Sequence, residues 1–170
     1  RFAIAPETVA LLFAANELRR KGFEVLLRAA ARLRSEPVEV HVVGKAPIDE
    51  YQGMIRDLGL AGRVRYHGVV DIGLAHAAAD ALVLPTQYEA FALTVVEALA
   101  SGLPVVTTDV PGAADVVEDG ENGLVMADPL DADILHLRKS PQPEERLRRN
   151  LGRVAFLDPE CLTDLLLGDR

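Results

Sequence analysis

The sequence is poor in the residues that mark several protein classes. It has one cysteine, Cys161, and no tryptophan, and aromatic residues make up only 5%. A lone cysteine excludes an internal disulfide and a cysteine-based metal cluster. No apolar run approaches the roughly 20 residues needed to span a bilayer, and no signal-peptide pattern opens the chain. A reducing cytoplasm is therefore the expected setting. Positive charge is missing from a long central stretch. No Lys or Arg occurs between Arg65 and Arg138, Asp109 to Asp133 is acidic, and the net charge is -8. Nucleic-acid surfaces need a basic patch, so no nucleic-acid partner is expected. An anionic ligand of the central stretch must find its cations elsewhere in the chain.

What is present is an aliphatic chain of 170 residues, 49% hydrophobic and rich in Ala, Val and Leu. That length is one domain, able to bury roughly 70% of its unfolded surface. Short apolar runs read as strands at Val9–Ala15, Val38–Gly44, Arg63–Gly68, Asp80–Pro85, Leu103–Thr107 and Gly123–Met126. Between them, Phe23, Leu26, Leu27, Ala30 and Leu33 recur at helical spacing. Ile48–Leu58 reads as a second helix, Ile72–Ala79 as a third, and the stretch after Phe91 as a fourth. Strands alternating with helices at intervals of roughly 20–28 residues predict an α/β fold, a doubly wound, Rossmann-like parallel sheet. Its ligand crevice is expected at the carboxyl ends of the strands. Residues 131–170 are expected to hold further helices.

The most informative stretch runs from Gln87 to Thr108. Glu89 stands just before a helix, and Glu97 lies within it, one turn after Leu93 and Thr94. Small Ala90 and Ala92 let a ligand approach the backbone where free amides open the helix, an end that favours an anion such as a phosphate. Glu97, one turn in, is placed to accept hydrogen bonds from sugar hydroxyls, as the acidic residue of dinucleotide folds does from a ribose. Earlier in the chain, Arg19-Arg20-Lys21-Gly22 precedes the first helix. Three cations before a helix start oppose its dipole unless an anion sits there. Taken alone, a run of charge like this is usually a solvated cluster. Gly44 ends the second strand, where α/β folds place ligands. Beside it, Lys45 could reach a phosphate but fits an ordinary surface lysine better, and His41 and His67 are read as strand residues without a chemical role. Asp131-Ala132-Asp133 spells a metal-binding Asp-x-Asp, but it opens a helix, where acids complement the dipole. No metal site is expected there.

Glu89-x7-Glu97, with Glu97-Ala98-Leu99-Ala100-Ser101-Gly102-Leu103-Pro104-Val105-Val106, resembles the donor-site signature of retaining GT-B glycosyltransferases, the group that includes lipopolysaccharide-core glucosyltransferases and sucrose synthase. The usual Glu-Gly-Phe-Gly reads Glu89-Ala90-Phe91-Ala92 here. Arg1-Phe2-Ala3-Ile4-Ala5-Pro6 is similar to the segment leading into the C-terminal domain of such enzymes, so the resemblance implies an interdomain linker at 1–8, while the residues alone equally fit a frayed terminus. The resemblance covers about Arg1 to Met126. It implies the C-terminal half of a GT-B fold, which binds a nucleotide-diphosphate sugar, with a UDP-hexose as the expected example, without a metal or other cofactor. It implies that Glu89 contacts the transferred sugar as the catalytic carboxylate. Arg20, Lys21 and the backbone of Phe91, Ala92, Leu93 and Thr94 would hold the diphosphate. Glu97 would hold the ribose, Gly44 would line the nucleotide site, and His67-Gly68-Val69-Val70 would lie under the base. The acceptor, in glycan or lipopolysaccharide biosynthesis, would be held by a missing N-terminal domain, and any contact with the inner face of the membrane would come through that domain. A non-catalytic sugar-nucleotide binding module and a sugar-nucleotide epimerase fragment remain the alternative readings.

Overall fold

The computed structural model describes residues 2–33, 35–89, 93–110, 112, 114–118 and 121–126. Phe91, Ala92, Asp131, Asp133 and the helices expected in 131–170 lie outside the described residues.

Six strands form one sheet: β1 (Val9–Ala14), β2 (Val38–Val43), β3 (Val64–Tyr66), β4 (Ala81–Leu84), β5 (Val105–Thr108) and β6 (Gly123–Met126). All pairings are parallel, in the order β3-β2-β1-β4-β5-β6. That is the doubly wound order, with its direction reversing between β1 and β4. β1 is buried along its whole length, because it is the central strand of a sheet covered on both faces. Its register runs Val9 opposite Val38 to Ala14 opposite Val43 on one side, and Leu11 opposite Ala81 on the other. The buried carboxylate of Asp80 accepts from the Ala10 amide at 2.9 Å, tying β1 to the start of β4.

The helices are α1 (Phe23–Arg32), α2 (Gln52–Asp57), α3 (Ile72–Ala78) and α4 (Leu93–Ala100). α1 buries Phe23, Leu26, Leu27 and Ala30, the stripe its spacing predicts. The second expected helix is split. A single 3-10 turn at Asp49–Tyr51 leads into a short α2, and no side chain caps the turn at Ile48. An uncapped start leaves amides to be met by the tighter bonds of a 3-10 turn. Phe23 packs on Phe13 of β1 at 5.1 Å and on Tyr51 at 4.9 Å, so α1 and this turn share a layer. In the other layer, His76 of α3 meets Ser101, just beyond α4, at 3.2 Å. Right-handed crossovers from a sheet in this order put the two pairs on opposite faces.

Near β2 and β3, Phe2 of the segment before β1 packs on two histidines. Phe2 lies against His67 at 4.3 Å and His41 at 5.7 Å between ring centroids. The parallel register sets His41 opposite Arg65 and so brings His67 alongside. His41 Nδ1 and His67 Nε2 are 3.0 Å apart, one donating and the other accepting. His41 is buried, and Glu39 approaches its Nε2 at 3.2 Å while bonding Arg65 at 2.9 Å. Burial, then the neighbouring His67, push His41 down to about 4 against the pull of Glu39. Two residues with no visible role in the sequence thus form a paired, covered cluster.

Candidate functional site: a cleft at the switch point

The carboxyl ends of β1, β2 and β4 open into a cleft of about 360 Å³, lined among others by Ala15, Val43, Gly44 and Leu84. This is the crevice that the reversal of strand order creates. Its charged lining comes from Glu17, Arg20 and Lys21 on the β1–α1 loop and from Lys45 after β2. Val69, Val70 and Ile72 give an apolar wall on the β3 side, and Thr94, in the first turn of α4, lines it from the other.

Two glycines set how closely the loops approach. Gly22 has φ +80°, and a Cβ there would meet the carbonyl oxygen of Pro85 at 1.9 Å. Gly44 has φ +144°, and its Cβ would meet the carbonyl oxygen of Ala15 at 1.9 Å. Only glycine satisfies both the left-handed backbone and the space. The β1–α1 loop is therefore pressed against the loop leaving β4 on one side and the end of β2 on the other.

Polar contacts fasten the first of these junctions. The Gln87 amide donates to the Arg20 carbonyl at 3.1 Å. The Thr86 hydroxyl donates to the Tyr88 carbonyl at 2.8 Å, and Arg20 Nη1 donates to the same oxygen at 3.0 Å. Arg20 Nε and Nη2 each bond Glu17 at 2.8 Å, a two-pronged pair that holds the Glu17 carboxyl below its usual range. The guanidinium also stands over the Tyr88 ring, 5.9 Å from its centroid. Lys21 Nζ donates to Glu89 Oε2, with both side chains mostly buried.

The structure therefore brings Arg20, Lys21, Gly44 and Thr94 to one cleft and joins Glu89 to it through Lys21. Leu93 and Glu97 are exposed on α4 and are not part of the cleft lining. Phe91 and Ala92 are outside the described residues. Sequence reasoning did not single out Glu17 or Asn16 for the site, and it weighed Lys45 as a lysine that could reach a phosphate but preferred an ordinary surface residue. Their signal was position: the first residues beyond β1 and β2 must face the crevice. Among the described residues, no group of three or more His, Cys, Asp or Glu is placed to hold a metal ion. No described helix is long and apolar enough to cross a membrane.

Residues 8–136 match the protein family described as Glycosyl transferases group 1. The chain belongs to that family. Among curated glycosyltransferases, it is 30% identical over 167 residues to the D-inositol 3-phosphate glycosyltransferase of Paenarthrobacter aurescens, covering 92% of this chain and 41% of that protein. It is 37% identical over 139 residues to D-inositol 3-phosphate glycosyltransferase 2 of Catenulispora acidiphila. That match covers 73% of this chain and 33% of the relative. The chain thus spans well under half the length of these relatives. In three dimensions the glycosyltransferase domain is similar to WaaG, a glycosyltransferase involved in lipopolysaccharide biosynthesis. The TM-score is 0.69 at 26% identity, over 98% of this chain and 49% of WaaG. It is also similar to sucrose-phosphate synthase of Thermosynechococcus elongatus, with a TM-score of 0.66 at 27% identity, over 92% of this chain and 38% of that one. The fold is the Rossmann-like one of GT-B glycosyltransferases.

Proposed function

We propose that this chain is the donor-binding half of a retaining, metal-independent GT-B glycosyltransferase and that its ligand is a nucleotide-diphosphate sugar. The observation that carries the reading is the meeting of Lys21 and Glu89 at the switch-point cleft. They arrive on the two loops that flank the strand-order reversal, where open α/β sheets bind nucleotides. A cation beside a carboxylate suits a ligand with a diphosphate at one end and hydroxyls at the other.

In this reading Lys21 and Arg20 hold the diphosphate, with the first turn of α4 at Thr94 and the backbone of Phe91 and Ala92 before it. Glu89 takes the sugar hydroxyls and Glu97 the ribose. The apolar wall at Val69 and Val70 receives the base. During transfer, the bond from C1 of the sugar to the phosphate oxygen breaks and the acceptor oxygen bonds to C1 on the same face. The acceptor proton passes to the leaving diphosphate. The charge growing on that diphosphate is met by Lys21 and Arg20, without a metal. The acceptor is held by the part of the enzyme outside this chain. Positioning it is worth several orders of magnitude in rate, so the chain alone binds donor without transferring sugar.

The test is binding of nucleotide-diphosphate sugars by the chain with chelator present, and acceptor-dependent turnover only when the rest of the enzyme is supplied. UDP sugars are the first probes, because HepE of Anabaena, which shares the fold, has been crystallised with UDP and glucose. Transfer at an enzymatic rate by the chain alone would refute the division of labour.

A further inference from the structure

Three cations line the cleft, and they are not equally committed. Arg20 is held by Glu17, and Lys21 by Glu89. Lys45 makes no ion pair with any described residue. The charges of the other two are matched locally, so Lys45 supplies the net positive charge that an arriving anion meets.

Its backbone is fixed as firmly as that of the two loop cations. The Lys45 amide donates to Asn16 Oδ1 at 2.9 Å, which ties it to the β1–α1 loop. The Tyr66 hydroxyl donates to the Gly44 carbonyl at 3.0 Å, and the Gly44 amide donates to the Gly68 carbonyl at 2.9 Å. Gly44 itself is wedged against Ala15. A surface lysine needs none of this. A lysine that must stand at one place on the wall of a cleft does, because only the side chain's own freedom is then lost on binding.

We propose that Lys45 is a third phosphate-binding cation of this site, acting on the nucleotide from the β2 side while Lys21 acts from the β1 side. The proposal rests on the donor-binding reading above and adds to it a residue and a direction of approach. An ammonium is a compact point charge on a flexible stem, suited to phosphate oxygens whose exact placement differs between ligands. With Arg20 tied to Glu17 and Lys21 to Glu89, Lys45 also makes the first electrostatic contact with the incoming diphosphate.

The experiment is calorimetric titration of the 170-residue protein, its Lys45→Met variant and its Lys45→Arg variant with UDP and with uridine. Wild-type protein should bind UDP. Lys45→Met should weaken UDP binding about tenfold or more, the worth of one charge-assisted hydrogen bond, and leave uridine binding unchanged. Lys45→Arg should recover most of the affinity, and the melting temperatures of all three should agree. Equal UDP affinity for wild type and Lys45→Met would overturn the proposal and leave the donor reading standing. Equal losses for UDP and uridine would overturn it by placing the lysine at the base. A wild-type protein that binds no nucleoside diphosphate, whether of uracil, guanine or adenine, would overturn the donor reading itself.

Discussion

Lys21 and Glu89 stand 68 positions apart, and the ammonium of Lys21, on the cleft wall, donates to the carboxylate of Glu89. Each therefore shields the charge that the other would offer a ligand. A diphosphate entering the site competes with Glu89 for Lys21, whereas a sugar hydroxyl is an added partner for Glu89. The two residues should then respond differently to ligands with and without a sugar.

Glu89→Gln should leave UDP binding unchanged or tighten it, since Lys21 is released from its carboxylate. The same variant should weaken binding of a UDP-hexose. Paired titrations of the two ligands check this. Equal losses for both would show that Glu89 does not read the sugar.

Glu97→Ala should weaken a ribonucleoside diphosphate more than its 2′,3′-dideoxy counterpart, because the ribose hydroxyls are what the carboxylate is expected to accept from. Glu97 is exposed on α4, so the substitution should not move the melting temperature. A uniform loss for both ligands would remove Glu97 from the ribose.

Gly22→Ala should destabilise the fold by roughly 2 kcal/mol or more, because φ +80° and a carbonyl oxygen 1.9 Å from the new Cβ both oppose it. The junction between the Lys21 and Glu89 loops should open with it. Thermal melting together with UDP titration checks both. A variant that melts and binds like wild type would show that the loops do not depend on this contact.

The buried histidine pair predicts a pH dependence of stability. His41 is held down to about 4 in the fold, while an unfolded chain leaves it near 6.5. Between those values the unfolded state carries the extra proton, so acid favours unfolding. His67, Glu39 and Arg65 face the ring, and among them only Glu39 favours its charged form. Stability should fall as pH drops from 6.5 towards 4, and His41→Gln should fall less over that window. Identical slopes in melts at stepped pH would contradict the assignment.

Much of this was legible in the chain itself. Most of the six strands are short Val- or Leu-rich runs separated by helical stretches, though β3 is only Val64-Arg65-Tyr66, and all six appear in the structure within about two residues of their sequence positions. Lys21-Gly22 was legible because a cation before a helix asks for an anion. What could not be read were relations that only tertiary structure creates. Nothing local joins Lys21 to Glu89. Nothing local tells that Arg20 spends three of its nitrogens on Glu17 and the Tyr88 carbonyl. In the sequence Lys45 is a lysine that could reach a phosphate but fits the surface better, and only the end of β2 set beside Asn16 places it on the cleft wall. His41 and His67 read as isolated strand residues, and the parallel register of β2 and β3 is what pairs them. The split of the second helix turns on an absent cap, a weak signal in any sequence.

The most direct test of the central claim is titration of the chain with UDP-glucose and with other nucleotide-diphosphate sugars in the presence of EDTA, in wild type and Lys21→Ala. The account predicts binding without metal that Lys21→Ala weakens by about 1.5–3 kcal/mol, the worth of a charge-assisted hydrogen bond. Absence of binding to every nucleotide-diphosphate sugar offered, or affinity unchanged in Lys21→Ala, would contradict it.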